Sequence, residues 1–167
     1  SFTLSVPGSY NVENAVAAAT MAFLLGVEPD TIRQALATFE GLINRYTLVS
    51  AAHRRLIKDY MSHPAGIRKV LETARLNNSG KLFAVFKPYR YTMINYHARN
   101  YAEAFKAASD IIITDMWDGG EEPMPGVDTA WLAEQIAALN PNVTHVPDMG
   151  KITSMLERIM APGDTAV

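Results

Sequence analysis

Cysteine is absent from the chain's 167 residues. That excludes disulfides, thiolate chemistry and cysteine-ligated zinc or iron–sulfur centres, and it fits a reducing compartment. No apolar run reaches the roughly 18 residues that a membrane-spanning helix needs. The residues from Ser1 onward show no basic start followed by an apolar stretch, so no secretory signal is read there. Charge of one sign is scarce as well: 15 Lys and Arg stand against 17 Asp and Glu, a formal net charge of −2. That balance argues against a basic grip on nucleic acid, because no overall positive excess is available to displace condensed counterions. Several familiar motifs are missing: a Gly-rich loop ending in Lys-Ser or Lys-Thr, G-x-G-x-x-G, His-Glu-x-x-His and G-x-S-x-G. His53, His63, His97 and His145 are too scattered to argue for a metal site.

What is present is 49% hydrophobic residues, which excludes whole-chain disorder and suffices for one domain with a buried core. Phe2–Val6 alternates weakly and reads as a short strand. Asn11 is placed to cap a helix running to about Leu25, with Val12, Ala15, Val16 and Ala19 on one apolar face. A short helix follows to about Phe39, turning Ile32, Ala35, Leu36 and Phe39 inward. Tyr46–Ala51 and Leu56–Tyr60 form a hairpin around His53-Arg54-Arg55. Ser62 is placed to cap the next helix, with Pro64 in its first turn. Leu82–Phe86 and Asp110–Thr114 are continuously apolar or nearly so, the pattern of strands covered on both faces. A helix from Thr92 to about Ala108 separates them. A Gly/Pro/acid loop follows, then a helix capped by Asp128, a short strand at Val143–Val146, a helix at Met149–Met160 and a strand beginning at Asp164. This alternation predicts a three-layer α/β domain, Rossmann-like, with right-handed crossovers in a mostly parallel sheet. Both ends read as cuts in a longer chain.

In such sheets ligands sit beyond the carboxyl ends of the strands. Three loops leave those ends with polar residues: Asp59–Pro64, Lys87–Thr92 and Asp115–Glu122. Asp59 would orient an amine or a metal-bound water, and His63 would act as base or donor; a local turn network is the alternative for each. Lys87, Tyr89 and Arg90 suit an anionic or aromatic ligand, or form an ordinary solvated loop. Asp115, Asp118, Glu121 and Glu122 would attract a cation or an amino group, or simply spread through a bare loop. Arg45 is either a surface arginine or a rigid donor fork for a phosphate.

Five segments, in order, resemble the Mur ligase family, the ATP-dependent ligases of peptidoglycan precursor synthesis, and within it the alanine-adding branch. They are Pro7-Gly8-Ser9-Tyr10-Asn11-Val12-Glu13-Asn14-Ala15, Phe39–Tyr46, Lys58-Asp59-Tyr60-Met61-Ser62-His63-Pro64, Phe86-Lys87-Pro88-Tyr89-Arg90-Tyr91-Thr92 and Asp115–Pro123. The resemblance implies that residues 1–40 close the central ATPase domain or link to it. It implies that 41–167 form the carboxy-terminal domain, cut short at its end. It further implies a cytoplasmic enzyme that uses ATP and Mg, both held mainly by a central domain outside this chain. That enzyme would join an amino acid or short peptide to UDP-N-acetylmuramate through an acyl phosphate. The chain would work against its own amino-terminal and central domains, with no nucleic-acid or membrane partner. Asn11, Asn14, Arg45 and Asp59 would face the nucleotide; His63, Tyr89, Arg90 and Glu121 would face the amino-acid substrate. No catalytic residue and no metal ligand is assigned within this chain, which alone is expected to be inactive. Departures from the family pattern fall at Asn44, Thr47, Lys58, Ser62, Ala65-Gly66, Tyr89 and Met93. They leave two alternatives: a divergent, non-catalytic or regulatory relative, or a ligase for a murein peptide or other acceptor.

Overall fold

The computed structural model describes residues 1–51 and 54–167. Two helices come first, α1 (Ser9–Leu24) and α2 (Pro29–Thr38). Two strands follow, β1 (Thr47–Ala51) and β2 (Arg54–Lys58). The rest alternates: α3 (Pro64–Leu76), β3 (Leu82–Phe86), α4 (Tyr91–Ala104), β4 (Asp110–Ile113), α5 (Thr129–Ala137), β5 (Val143–His145), α6 (Met149–Ile159) and β6 (Thr165–Ala166). The sheet order is β1-β2-β6-β3-β4-β5. β1 and β2 pair antiparallel, and every other pairing in the sheet is parallel.

Handedness explains the layers. The connections β2-α3-β3, β3-α4-β4 and β4-α5-β5 all move the same way along the sheet, so right-handed crossovers put α3, α4 and α5 on one face. The return from β5 to β6 runs backwards and sends α6 to the other face. The packing agrees. Leu71, Ala74, Ile94, Tyr101, Leu132 and Ile136 share a core with Leu82, Ala84, Phe86, Ile111 and Ile113, whereas Leu156 and Met160 pack on Phe83 and Ala166. β3 and β4 are covered on both faces, as their unbroken apolar runs require.

β6 sits between β2 and β3 although it is only two residues long. Asp164 holds it there. The buried carboxylate accepts Lys81 N–H at Oδ1 (2.7 Å) and Ala161 N–H at Oδ2 (2.8 Å). Gly80 permits the approach, since a Cβ there would lie 2.5 Å from Asp164 Oδ1 and 2.7 Å from Gly163 O.

Several expectations need correction. Phe2–Val6 forms no strand. α1 begins after Gly8, not at an Asn11 cap, and the Asn11 side chain donates instead to Pro7 O (2.6 Å). α3 is capped by His63 rather than Ser62: its Nδ1 accepts Ala65 N–H (3.2 Å). α4 stops at Ala104, because Arg75 holds Ala107 O from Nε and Nη2 (3.1 and 2.9 Å) and turns the chain toward β4. The hairpin joining β1 and β2 is present as a pairing, but its turn at His53 lies outside the described residues. On α1 only Ala15 is buried; Val12 and Val16 of the expected inward face are each 49% exposed. Phe39, expected inward at the end of α2, is 43% exposed.

Candidate functional site

The carboxyl ends of β2, β3, β4 and β5 share one edge of the sheet, and the three polar loops leave from it. Because β1 is antiparallel to β2, the segment entering β1 lies at that edge as well. Two clusters form there.

The first is a cleft of about 730 Å³ between α1 and the start of the sheet. Asn11, Asn14, Arg45 and Asp59 all line it, together with Tyr10, Tyr46 and Met61. Arg45 is flanked by two residues in the left-handed region, Asn44 (φ 60°) and Tyr46 (φ 47°). The bend is pinned by Asn44 N–H to Thr47 Oγ1 (3.0 Å) and Tyr60 N–H to Asn44 O (2.9 Å). It delivers Tyr46 N–H to Asp59 Oδ2 (2.8 Å). Asp59 Oδ1 is buried without a hydrogen-bond partner, and the Arg45 guanidinium stands 3.7 Å away. The Asp59 side chain is only 6% exposed and that of Arg45 is 47% exposed. A buried carboxylate with one empty oxygen, beside a half-exposed guanidinium, suits a ligand carrying both hydroxyl donors and negative charge. Burial pushes the Tyr10 phenol up, with the Asp59 carboxylate the next cause. Burial pushes the Tyr46 phenol up too.

The second cluster joins the loops after β3 and β4. Arg90 N–H donates to Trp117 O and Trp117 N–H to Pro88 O, each 2.9 Å, stitching the loops together. The Tyr89 ring packs on Trp117 (centroids 5.2 Å apart), and the Arg90 guanidinium lies over Tyr89 at 4.9 Å. Gly119 makes room: it has φ +64°, and a Cβ would fall 2.9 Å from the Tyr89 ring. Glu121 accepts Thr92 N–H (3.0 Å) and Thr92 Oγ1 (2.5 Å) at the start of α4. The Thr92 hydroxyl is the largest cause holding the Glu121 carboxyl below the usual carboxylate range.

His63 belongs to neither cluster. It is exposed at the start of α3, with its ring edge-on to His97 of α4 at 4.5 Å. Asp115, read as part of an acidic cluster, is instead engaged by His145 Nε2 (2.8 Å) at the end of β5. Among the described residues no three His, Asp or Glu come together as a metal cradle. The eight singled-out residues therefore divide into four in the cleft, two in the stack (Tyr89 and Arg90), Glu121 on Thr92 beside it, and a helix cap. Tyr10, Thr92 and Trp117 were not singled out from the sequence. An aromatic in a helix or loop reads as packing, and only its place beside Asn11 or Arg90 marks it otherwise.

The fold and this edge define an α/β domain of the kind that binds ligands beyond its strand ends. Residues 44–167 match the family model described as Mur ligase, glutamate ligase domain. The chain is 36% identical over 166 residues to the UDP-N-acetylmuramate–L-alanine ligase of Rhizobium meliloti, covering 98% of this chain and 35% of that relative. It is 34% identical over 165 residues to the enzyme of the same name from Mycolicibacterium smegmatis, covering 96% and 34%. Among solved structures, UDP-N-acetylmuramate–alanine ligase from Thermotoga maritima superposes with a TM-score of 0.75 at 23% identity, over 99% of this chain and 35% of that one. A murein peptide ligase from Psychrobacter arcticus gives 0.70 at 24%, with the same coverage. These two show the shared fold. The chain belongs to the Mur ligase family, and it spans about a third of the length of the curated relatives it matches.

Proposed function

We propose that the chain is the carboxy-terminal part of an ATP-dependent ligase that joins an amino acid, L-alanine or a similar one, to UDP-N-acetylmuramate in the cytoplasm. Residues 1–40 then close the central ATPase domain, whose surface covers the exposed apolar faces of α1 and α2. The observation that carries the reading is the gathering of Asn11, Asn14, Arg45 and Asp59 in one cleft, across the boundary between that segment and the sheet. ATP supplies the phosphoryl group that activates the carboxylate of the sugar nucleotide. Arg45 suits its phosphates as a charged fork, Asp59 suits a hydroxyl donor, and Asn11 and Asn14 lie on the α1 side of the cleft. Mg falls to the central domain. Tyr89, Arg90 and Glu121 lie on the side assigned to the incoming amino acid, with His63 at the start of α3. Domain closure would keep water from the activated carboxylate.

A second reading, a relative with an altered acceptor, is favoured by one observation. Tyr89 is committed to a stack between Trp117 and Arg90, in place of the imidazole usual in the alanine-adding branch. Phosphate release by the complete protein, with UDP-N-acetylmuramate, Mg–ATP and a panel of L-amino acids and short peptides, tests both. Release that depends on L-alanine supports the first reading, and release that depends on another amine supports the second. Silence across the panel overturns the ligase reading. The 167-residue chain alone is expected to stay silent.

A further inference from the structure

Arg90 stands at the N-cap of α4 with φ 62° and ψ 134°. A residue other than glycine keeps such a conformation only where its surroundings enforce it. An arginine side chain carries donors only, so it cannot cap the helix it opens. The first N–H groups of α4 therefore need an acceptor from elsewhere.

Three contacts hold Arg90. Its N–H donates to Trp117 O (2.9 Å), and its guanidinium lies over the Tyr89 ring at 4.9 Å. Gly119 passes so close that a Cβ there would lie 3.0 Å from Arg90 Nε and 3.1 Å from Arg90 Cγ. Trp117 and Gly119 both belong to the loop after β4, so the course of that loop decides where the guanidinium rests. The near end of the loop is tied by Trp117 N–H to Pro88 O (2.9 Å). The chain then reverses through Gly119 and Gly120, both left-handed (φ 64° and 83°), with Gly120 N–H on Asp118 Oδ1 (2.9 Å). The reversal returns Glu121 to α4. There Glu121 Oε2 accepts Thr92 N–H (3.0 Å) and Oε1 accepts the Thr92 hydroxyl (2.5 Å). One carboxylate thus supplies an acceptor that Arg90 cannot, and ties down the far end of the loop.

We propose that Glu121 is a positioning residue: its carboxylate latches the loop after β4 onto α4 and so holds the Arg90 guanidinium in place for the incoming amino acid. Glu121 then acts through Arg90 and not on the substrate amine. The use of Arg90 for an amino acid rests on the function proposed above; the latch itself does not.

Hydrogen exchange and steady-state kinetics of the complete protein test the two parts separately. Glu121→Ala should speed amide exchange roughly tenfold at Arg90 and Trp117, whose N–H groups stitch the loops together. Thr92→Val should speed it less, since it removes one of the two bonds. Glu121→Gln keeps an acceptor for Thr92 N–H and offers a donor to the Thr92 hydroxyl, so it should exchange within about twofold of wild type. Unchanged exchange in Glu121→Ala overturns the latch. In turnover, Glu121→Ala should raise the KM for the amino acid about fivefold or more and leave the KM for ATP within about twofold, because only one group is misplaced. Glu121→Gln should recover most of that loss. Equal losses in the two variants overturn the proposal, since they would put the charge itself on the substrate amine. A KM for ATP that rises in step overturns it as well. A wild-type protein without amino-acid-dependent turnover overturns the function proposed above, while the exchange comparison still decides the latch.

Discussion

Helices α1 and α3 both carry apolar residues at three- and four-residue spacing. α3 buries Ile67, Val70, Leu71 and Ala74, whereas α1 buries Ala15 alone and leaves Leu24, and Leu25 just past its end, more than 70% exposed. The spacing defines a face in both cases, but only the sheet supplies a cover. Periodicity therefore reports which side of a helix is meant for burial, and the partner has to be found elsewhere. Here the contrast falls at the entrance to β1, where Asn44 and Tyr46 adopt left-handed conformations around Arg45. The cleft lies along that same boundary.

The largest effect that would sharpen this contrast is at Asp164. Asp164→Ala removes the acceptor of two main-chain N–H groups at the seat of β6 and is expected to cost about 2–4 kcal/mol in urea unfolding. A loss below about 1 kcal/mol would mean that β6 is held by its ladder alone. The smallest expected effect is on α1. Leu25→Ser changes a side chain that touches little in this chain, and the same measurement should register no more than about 0.5 kcal/mol. A cost matching that of Asp164→Ala would break the comparison, since it would require α1 to be covered in solution by the chain itself.

The parts legible in the sequence were those governed by local rules. β3 and β4 announce themselves by unbroken apolar runs, Asp128 caps α5 as its position implies, and Pro64 opens α3. The class of sheet follows from the alternation. The seat of β6 was not legible, because Thr165-Ala166 is too short to carry a pattern and its partners at β2 and β3 are far away in sequence. The cap of α3 was misread because His63 Nδ1 serves where a serine was expected. At the candidate site, the loops beyond the strand ends could be named from pattern. Arg45 and the two asparagines of α1, however, stood out only through resemblance to a family. Nothing local says that Asn11 and Asp59, 48 positions apart, will face one cleft.

The central claim is that this cleft is the chain's share of a nucleotide site. The most direct test is the ATP affinity of the complete protein with and without Arg45→Ala. Loss of a charged fork on a phosphate predicts a dissociation constant raised about tenfold or more. An affinity unchanged within about twofold, in a protein that binds ATP and folds normally, would contradict the assignment and move the nucleotide away from Arg45 and Asp59.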